Sequence, residues 1–192
     1  MTFVDTMNFP RSPLMPGRAF DRIDGFFNRL ERSVGSQYLD EETDPATAAR
    51  SPLEERLRFV QDAISDVSMH LPSGFAHGLN RQFANLMDED AWESSDELIS
   101  SNALSAFLVA LVLTKARKRP GIGTNGIGSV TAAWTEGPNR LTIEFLPSGK
   151  ASLVLTRAFE TDEPERAAFA PMRPDRLCAV LAPFEPEVWF DG

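Results

Sequence analysis

Between Ser129 and Leu155 the chain reads SVTAAWTEGPNRLTIEFLPSGKASLVL. Leu141, Ile143 and Phe145 alternate there with Thr142 and Glu144, and Ala151, Leu153 and Leu155 repeat the pattern. A period of two places one row of side chains in a core and the other in water, the mark of a half-buried antiparallel strand. Glu136-Gly137-Pro138-Asn139 and Pro147-Ser148-Gly149 supply residues suited to tight turns. The stretch therefore predicts a meander of three antiparallel strands, and one of its faces needs an apolar cover. Trp134 shares a pleat face with Val130 and Ala132, which makes it an anchor of the sheet onto a helix.

The cover is at hand just upstream. ALSAFLVALVL, residues 103–113, is apolar almost all round and predicts a central, buried helix. We expect it to run from about Asp96 to Arg117. It starts around Ser94 and Ser95, with Asp96 and Glu97 at the positive end of the helix dipole, and Lys115, Arg117, Lys118 and Arg119 close it before Pro120. Three further helices precede it. Phe20, Ile23, Phe26, Phe27, Leu30 and Val34 fall at helical spacing behind an arm containing Pro10, Pro13 and Pro16. Ser51-Pro52-Leu53-Glu54 is a capping box with proline in the first turn, and Leu53, Leu57, Val60, Ile64 and Val67 then form one stripe. Phe75, Leu79, Phe83 and Leu86 mark a helix from about 75 to 87. The expected fold is α+β: about four N-terminal helices, then a three-stranded antiparallel sheet packed on the apolar fourth helix. The expected organisation is an arm, helix and acidic linker over 1–50, a helical layer over 51–119, and the meander with a C-terminal segment over 120–192. Residues 51–192 then form one core.

Charge is unevenly placed. Residues 1–100 carry 9 Arg and no Lys against 18 Asp and Glu, whereas residues 101–192 carry 10 basic and 10 acidic residues. Such a first half repels phosphate and attracts basic surfaces, which argues against direct nucleic-acid binding and for another protein with a basic surface as partner. A solvated acidic face kept for solubility is the plain alternative. The candidate partner-binding residues are Phe20, Phe26 and Phe27 of the first helix, with Asp88, Glu89, Asp90 and Trp92 of the acidic stretch DEDAWESSDE. An aromatic in an exposed acidic segment suits an interface anchor, and Trp189 is read the same way. No apolar run approaches the roughly 20 residues of a membrane span, and the start lacks a signal-peptide pattern. With a single cysteine, Cys178, in the apolar run LCAVLAPF, the expectation is a buried thiol in a cytoplasmic protein.

Reactive constellations are sparse. Gly121-Ile-Gly123-Thr-Asn-Gly126 spells G-x-G-x-x-G, but a phosphate loop needs a strand before it and a helix after it. Here a helix precedes and a strand follows, so a flexible connector is the better reading. Lys115–Arg119 reads as charge complement to a helix C-terminus, and salt bridges with the acidic half or a partner contact are at least as well suited to it as a nucleic-acid patch. His70 and His77 lack a third ligand for zinc and lack a nucleophile motif. No metal, cofactor or catalytic residue is expected. The one enzymatic route left is carboxylate chemistry on two or more of Glu136, Glu144 and Asp162.

From the apolar helix to the third strand, a Pro-led loop, a Gly, a strand ending in Trp, a strand of form L-x-I-E and a Gly turn follow one another. The residues are Pro120, Gly128, Trp134, Leu141, Ile143, Glu144 and Gly149. This segment, residues 98–155, resembles one that recurs in small bacterial proteins, some of them antitoxin-like or accessory partners in two-gene modules. The resemblance implies a non-catalytic, protein-binding component and carries no catalytic residue. An acidic inhibitor imitating nucleic acid, carried by a phage or plasmid, is the alternative, and a carboxylate enzyme the third.

Overall fold

The computed structural model describes residues 51–88, 92, 96–158 and 163–191. The helix expected over residues 18–35, its proline arm and the acidic linker lie outside these residues. The first helix described, α1 (Pro52–Val67), begins as its sequence requires. Ser51 Oγ accepts from the Glu54 amide at 3.2 Å, and the Ser51 amide donates back to Glu54 Oε2 at 3.3 Å. Such a reciprocal cap satisfies two amides that the helix itself leaves unpaired. Leu53, Val60, Ala63, Ile64 and Val67 form its buried stripe. A 3-10 turn over Ser68–His70 and a left-handed Gly74 (φ +75°) lead into α2 (Phe75–Leu86).

The apolar helix, α3 (Ser101–Thr114), is shorter than expected at both ends. Its N-cap is Ser100, whose Oγ accepts from the Asn102 amide, because residues 96–100 are spent elsewhere. Glu97 bridges in parallel to Ile127, and the Ser100 amide donates to the Gly128 carbonyl. At the other end Lys115 turns left-handed (φ +51°), and the amides of Arg117 and Lys118 both donate to the Phe190 carbonyl. A tertiary partner at each end thus overrides the capping and dipole signals in the sequence.

Among the described residues the sheet has five antiparallel strands in sequence order: β1 (Gly121–Gly123), β2 (Val130–Glu136), β3 (Asn139–Phe145), β4 (Ala151–Arg157) and β5 (Glu165–Met172). The three expected strands are β2 to β4, and their inward rows align: Trp134 beside Leu141 and Leu155, Ala132 beside Ile143 and Leu153, Val130 beside Phe145 and Ala151. The expected count of three is corrected to five. The segment read as a flexible connector is partly strand β1, paired to β2 from Gly121 opposite Ala133 to Gly123 opposite Thr131. The polar stretch after Arg157 contributes β5, exposed at all but a few positions. Two glycines carry no apolar pattern, and an edge strand with little burial has no reason to show one.

Phe107 of α3 meets Phe83 of α2 and Phe145 of β3 edge to face, with centroids 6.0 and 5.6 Å away. This aromatic line joins the helical layer to the inner face of the sheet. The C-terminal segment completes the core: α4 (Leu177–Leu181) packs on α3 and buries Leu177 and Leu181, and α5 (Glu187–Phe190) packs on β2 and β3 and buries Trp189 and Phe190. Trp134 therefore packs on Phe190 and donates its indole N–H to the Lys118 carbonyl at 2.8 Å. Trp189 is fully enclosed, so it is a core residue and not an exposed interface anchor. Cys178 is corrected in part: the residue as a whole is exposed, but its sulfur is partly covered and the thiol donates to the Leu113 carbonyl at 3.5 Å.

Candidate functional site

Helix α1 spends its apolar stripe on the core and turns Glu54, Glu55, Arg58, Asp62 and Asp66 to solvent. Its half-buried Arg56 stacks over the Phe59 ring and donates through Nε to the Ile99 carbonyl at 2.5 Å. That bond ties the acidic segment before α3 to the N-terminal half of α1. Ile99 is buried, while Glu97, two residues back on an extended backbone, is exposed. Exposed carboxylates thus lie on two elements that Arg56 and Ile99 join. Of the candidate partner-binding residues, Asp88 is exposed beyond the end of α2, and Trp92 is half-buried. Phe20, Phe26, Phe27, Glu89 and Asp90 lie outside the described residues.

The same segment clamps the glycine-rich loop. The Glu97 amide donates to the Gly126 carbonyl at 2.8 Å, and Gly126 takes φ +72° with Asp96 Oδ1 where a Cβ would sit. Beside it lies a polar network that no sequence pattern announced. Asn125 Nδ2 donates to Glu144 Oε1 at 2.8 Å, and the fully buried Ser129 Oγ lies 2.5 Å from Asn125 Oδ1 and 3.2 Å from Glu144 Oε1. Thr124 Oγ1 donates to the Ser129 carbonyl. The only hint in the sequence was Asn125-Gly126, a turn dipeptide. The network holds Glu144 at the edge of the outer sheet face, and the loop opens onto a strand, without the helix N-terminus a phosphate loop requires.

The basic run disperses. Lys118 Nζ donates to the Thr135 carbonyl and pairs with Glu136, and Arg117 lies 3.9 Å from Asp191. Arg119 lays its guanidinium over Gly78, where an added Cβ would fall 1.2 Å from Nη1. These partners belong to the sheet, α2 and the C-terminal segment, and the ion pairs of Arg117 and Lys118 are with Asp191 and Glu136, outside the acidic first half. His70 and His77 are both exposed, on the 3-10 turn and on α2. Among the described residues no group of three His, Cys, Asp or Glu could hold a metal ion, and no helix is long and apolar enough to cross a membrane.

The carboxylate pair does not assemble from Glu136 and Glu144. Glu136 stands opposite Asn139, five residues from Glu144 along β3, so about 17 Å separates the two backbones. They also point to opposite faces, Glu136 in phase with Trp134 and Glu144 in phase with Thr142. Paired carboxylates in glycoside hydrolysis stand about 5–9.5 Å apart. Asp162 lies outside the described residues. Compared with known proteins, the chain matches no family model, no curated protein and no solved structure.

Proposed function

We propose that this chain is a non-catalytic protein-binding component, of the antitoxin, immunity or accessory type found in bacterial two-gene modules, and that its acidic surface receives a basic partner. The observation that carries the proposal is the tie between Arg56 and Ile99. It joins the helix that exposes Glu54, Glu55, Asp62 and Asp66 to the segment that exposes Glu97, while the apolar residues of the same elements serve the core. Rim charges of this kind steer association and choose partners more than they add affinity. The phosphate-mimic alternative asks for an unbroken acidic face. Arg58 interrupts the row on α1, and α2 offers Arg81 and His77 with no carboxylate, so the described residues favour a protein with discrete basic groups.

The test is recovery of the tagged full-length chain from its native cells at low and at high salt. We expect one protein at stoichiometric yield, lost as salt rises, and lost at low salt when Glu55, Asp62 and Glu97 are changed together to Lys. Recovery of the chain alone at low salt, or a partner indifferent to that triple change, overturns the proposal.

A further inference from the structure

The outer face of the sheet carries a pattern that the acidic surface does not use. Strand register sets Gly121, Ala133, Thr142, Val154 and Ala168 in one row across all five strands. The row is uncharged and small or β-branched throughout, and Val154 within it is 56% exposed. The flanking row on one side runs through Gly123, Thr131, Glu144 and Ser152. The flanking row on the other side runs through Thr135, Arg140, Thr156 and Arg166. On β3, then, a carboxylate and a guanidinium stand two residues either side of Thr142, on the same face.

We propose that this face is the interface of a symmetric dimer, occupied by the same face of a second copy. A two-fold axis running along the neutral row, midway between the two sheets, reverses strand direction and keeps each strand opposite its own counterpart. Arg140 then meets Glu144 of the second copy, and Glu144 meets its Arg140. Thr142 meets Thr142, and Val154 meets Val154. A closed two-fold interface requires a patch complementary to itself, and opposite charges placed symmetrically about a neutral row satisfy that requirement where a single sign would repel. Asn125 and Ser129 fix the Glu144 carboxylate in advance, which lowers the entropy lost on pairing. Ala, Thr and Val side chains suit two sheets stacked about 10 Å apart. One strand of three residues, three of seven and one of eight, about 4.8 Å apart with a rise of about 3.4 Å per residue, give a face of about 500 Å². Two such faces bury about 1,000 Å², the lower end of specific interfaces, so the dimer is reversible and concentration-dependent.

Sedimentation of the purified full chain, from low to several hundred micromolar, tests this without any other protein. The average mass should climb toward twice that of the monomer. Val154→Arg should hold it at the monomer. Arg140→Glu opposes Glu144 with a like charge, and Glu144→Arg does the same to Arg140, so each alone should weaken association about tenfold or more. Mixed, these two variants should associate again, because both cross-copy contacts then join opposite charges. A wild-type chain that stays monomeric, or a dimer that Val154→Arg leaves intact, overturns the proposal. So does a folded R140E and E144R mixture that fails to associate. If Glu144→Arg does not fold, Arg140→Glu and Val154→Arg decide the matter alone: both must weaken the dimer, and failure of either overturns it.

Discussion

The ring of Phe190 meets the indole of Trp134 edge to face at 5.2 Å, and the Phe190 carbonyl accepts the amides of both Arg117 and Lys118. One residue near the end of the chain thus closes the inner face of the sheet and fixes the chain leaving α3.

Phe190→Ala removes a side chain that is all but buried and leaves a cavity against Trp134. Truncations of buried Phe cost about 3–5 kcal/mol. We expect that loss in urea unfolding, together with a shift in Trp fluorescence of the native state. A loss under about 1 kcal/mol would mean that α5 does not close the sheet.

Gly78 lies inside α2 with the Arg119 guanidinium in the space a Cβ would take. Glycine in a helix interior costs about 0.5–1 kcal/mol relative to alanine. Arg119 is exposed, so its end can swing into water. Gly78→Ala should therefore be neutral to slightly stabilising in the wild-type background, and stabilising by the full amount, about 1 kcal/mol, once Arg119→Ala has cleared the site. The difference between the two backgrounds, read by thermal melting, isolates the cost of moving Arg119. Equal effects in both would show that Arg119 does not occupy the space.

Asn125 satisfies the fully buried Ser129 hydroxyl and orients Glu144. Asn125→Ala leaves Ser129 with Glu144 as its remaining acceptor and removes the shorter bond, a loss of about 0.5–1.5 kcal/mol. Adding Ser129→Ala should recover part of that loss, since no buried hydroxyl then remains to satisfy. A double-mutant cycle with no coupling would place the two side chains in separate environments.

How legible the chain was depends on whether a residue answers to its neighbours in sequence or in space. The Ser51 cap and the stripe of α1 are local, and Leu141, Ile143 and Phe145 are a period that nothing else produces, so both appear in the structure as read. The ends of α3 were misread because Glu97 pairs with Ile127 and Lys118 with the Phe190 carbonyl, partners about 30 and 70 residues away. β1 was invisible because glycine has no side chain to pattern, and β5 because an edge strand buries little. The candidate site was legible only as charge. Asp96, the loop residues Asn125 and Ser129, and Glu144 come from three separate places in the chain, and only folding brings them together.

Cys178 offers a prediction whose sign follows from its surroundings. Burial of the sulfur raises the thiol above its ordinary value of 9.0, an effect that its own amide and Lys115 only partly offset. The folded state therefore holds the proton more tightly than the unfolded chain does. The stability this contributes is fully present below pH 9.0 and is lost as pH rises through the higher folded value. Unfolding free energy should fall above pH 9.0 in the wild type by more than in Cys178→Ser, which has no thiol to titrate. Since the thiolate is the nucleophile, alkylation of native Cys178 should be slower than in the urea-unfolded chain at neutral pH. Its rate should continue to rise past pH 9.0 without levelling. A plateau at or below that pH would mean that the thiol sits in open solvent and that the contact with the Leu113 carbonyl does not hold it against α3.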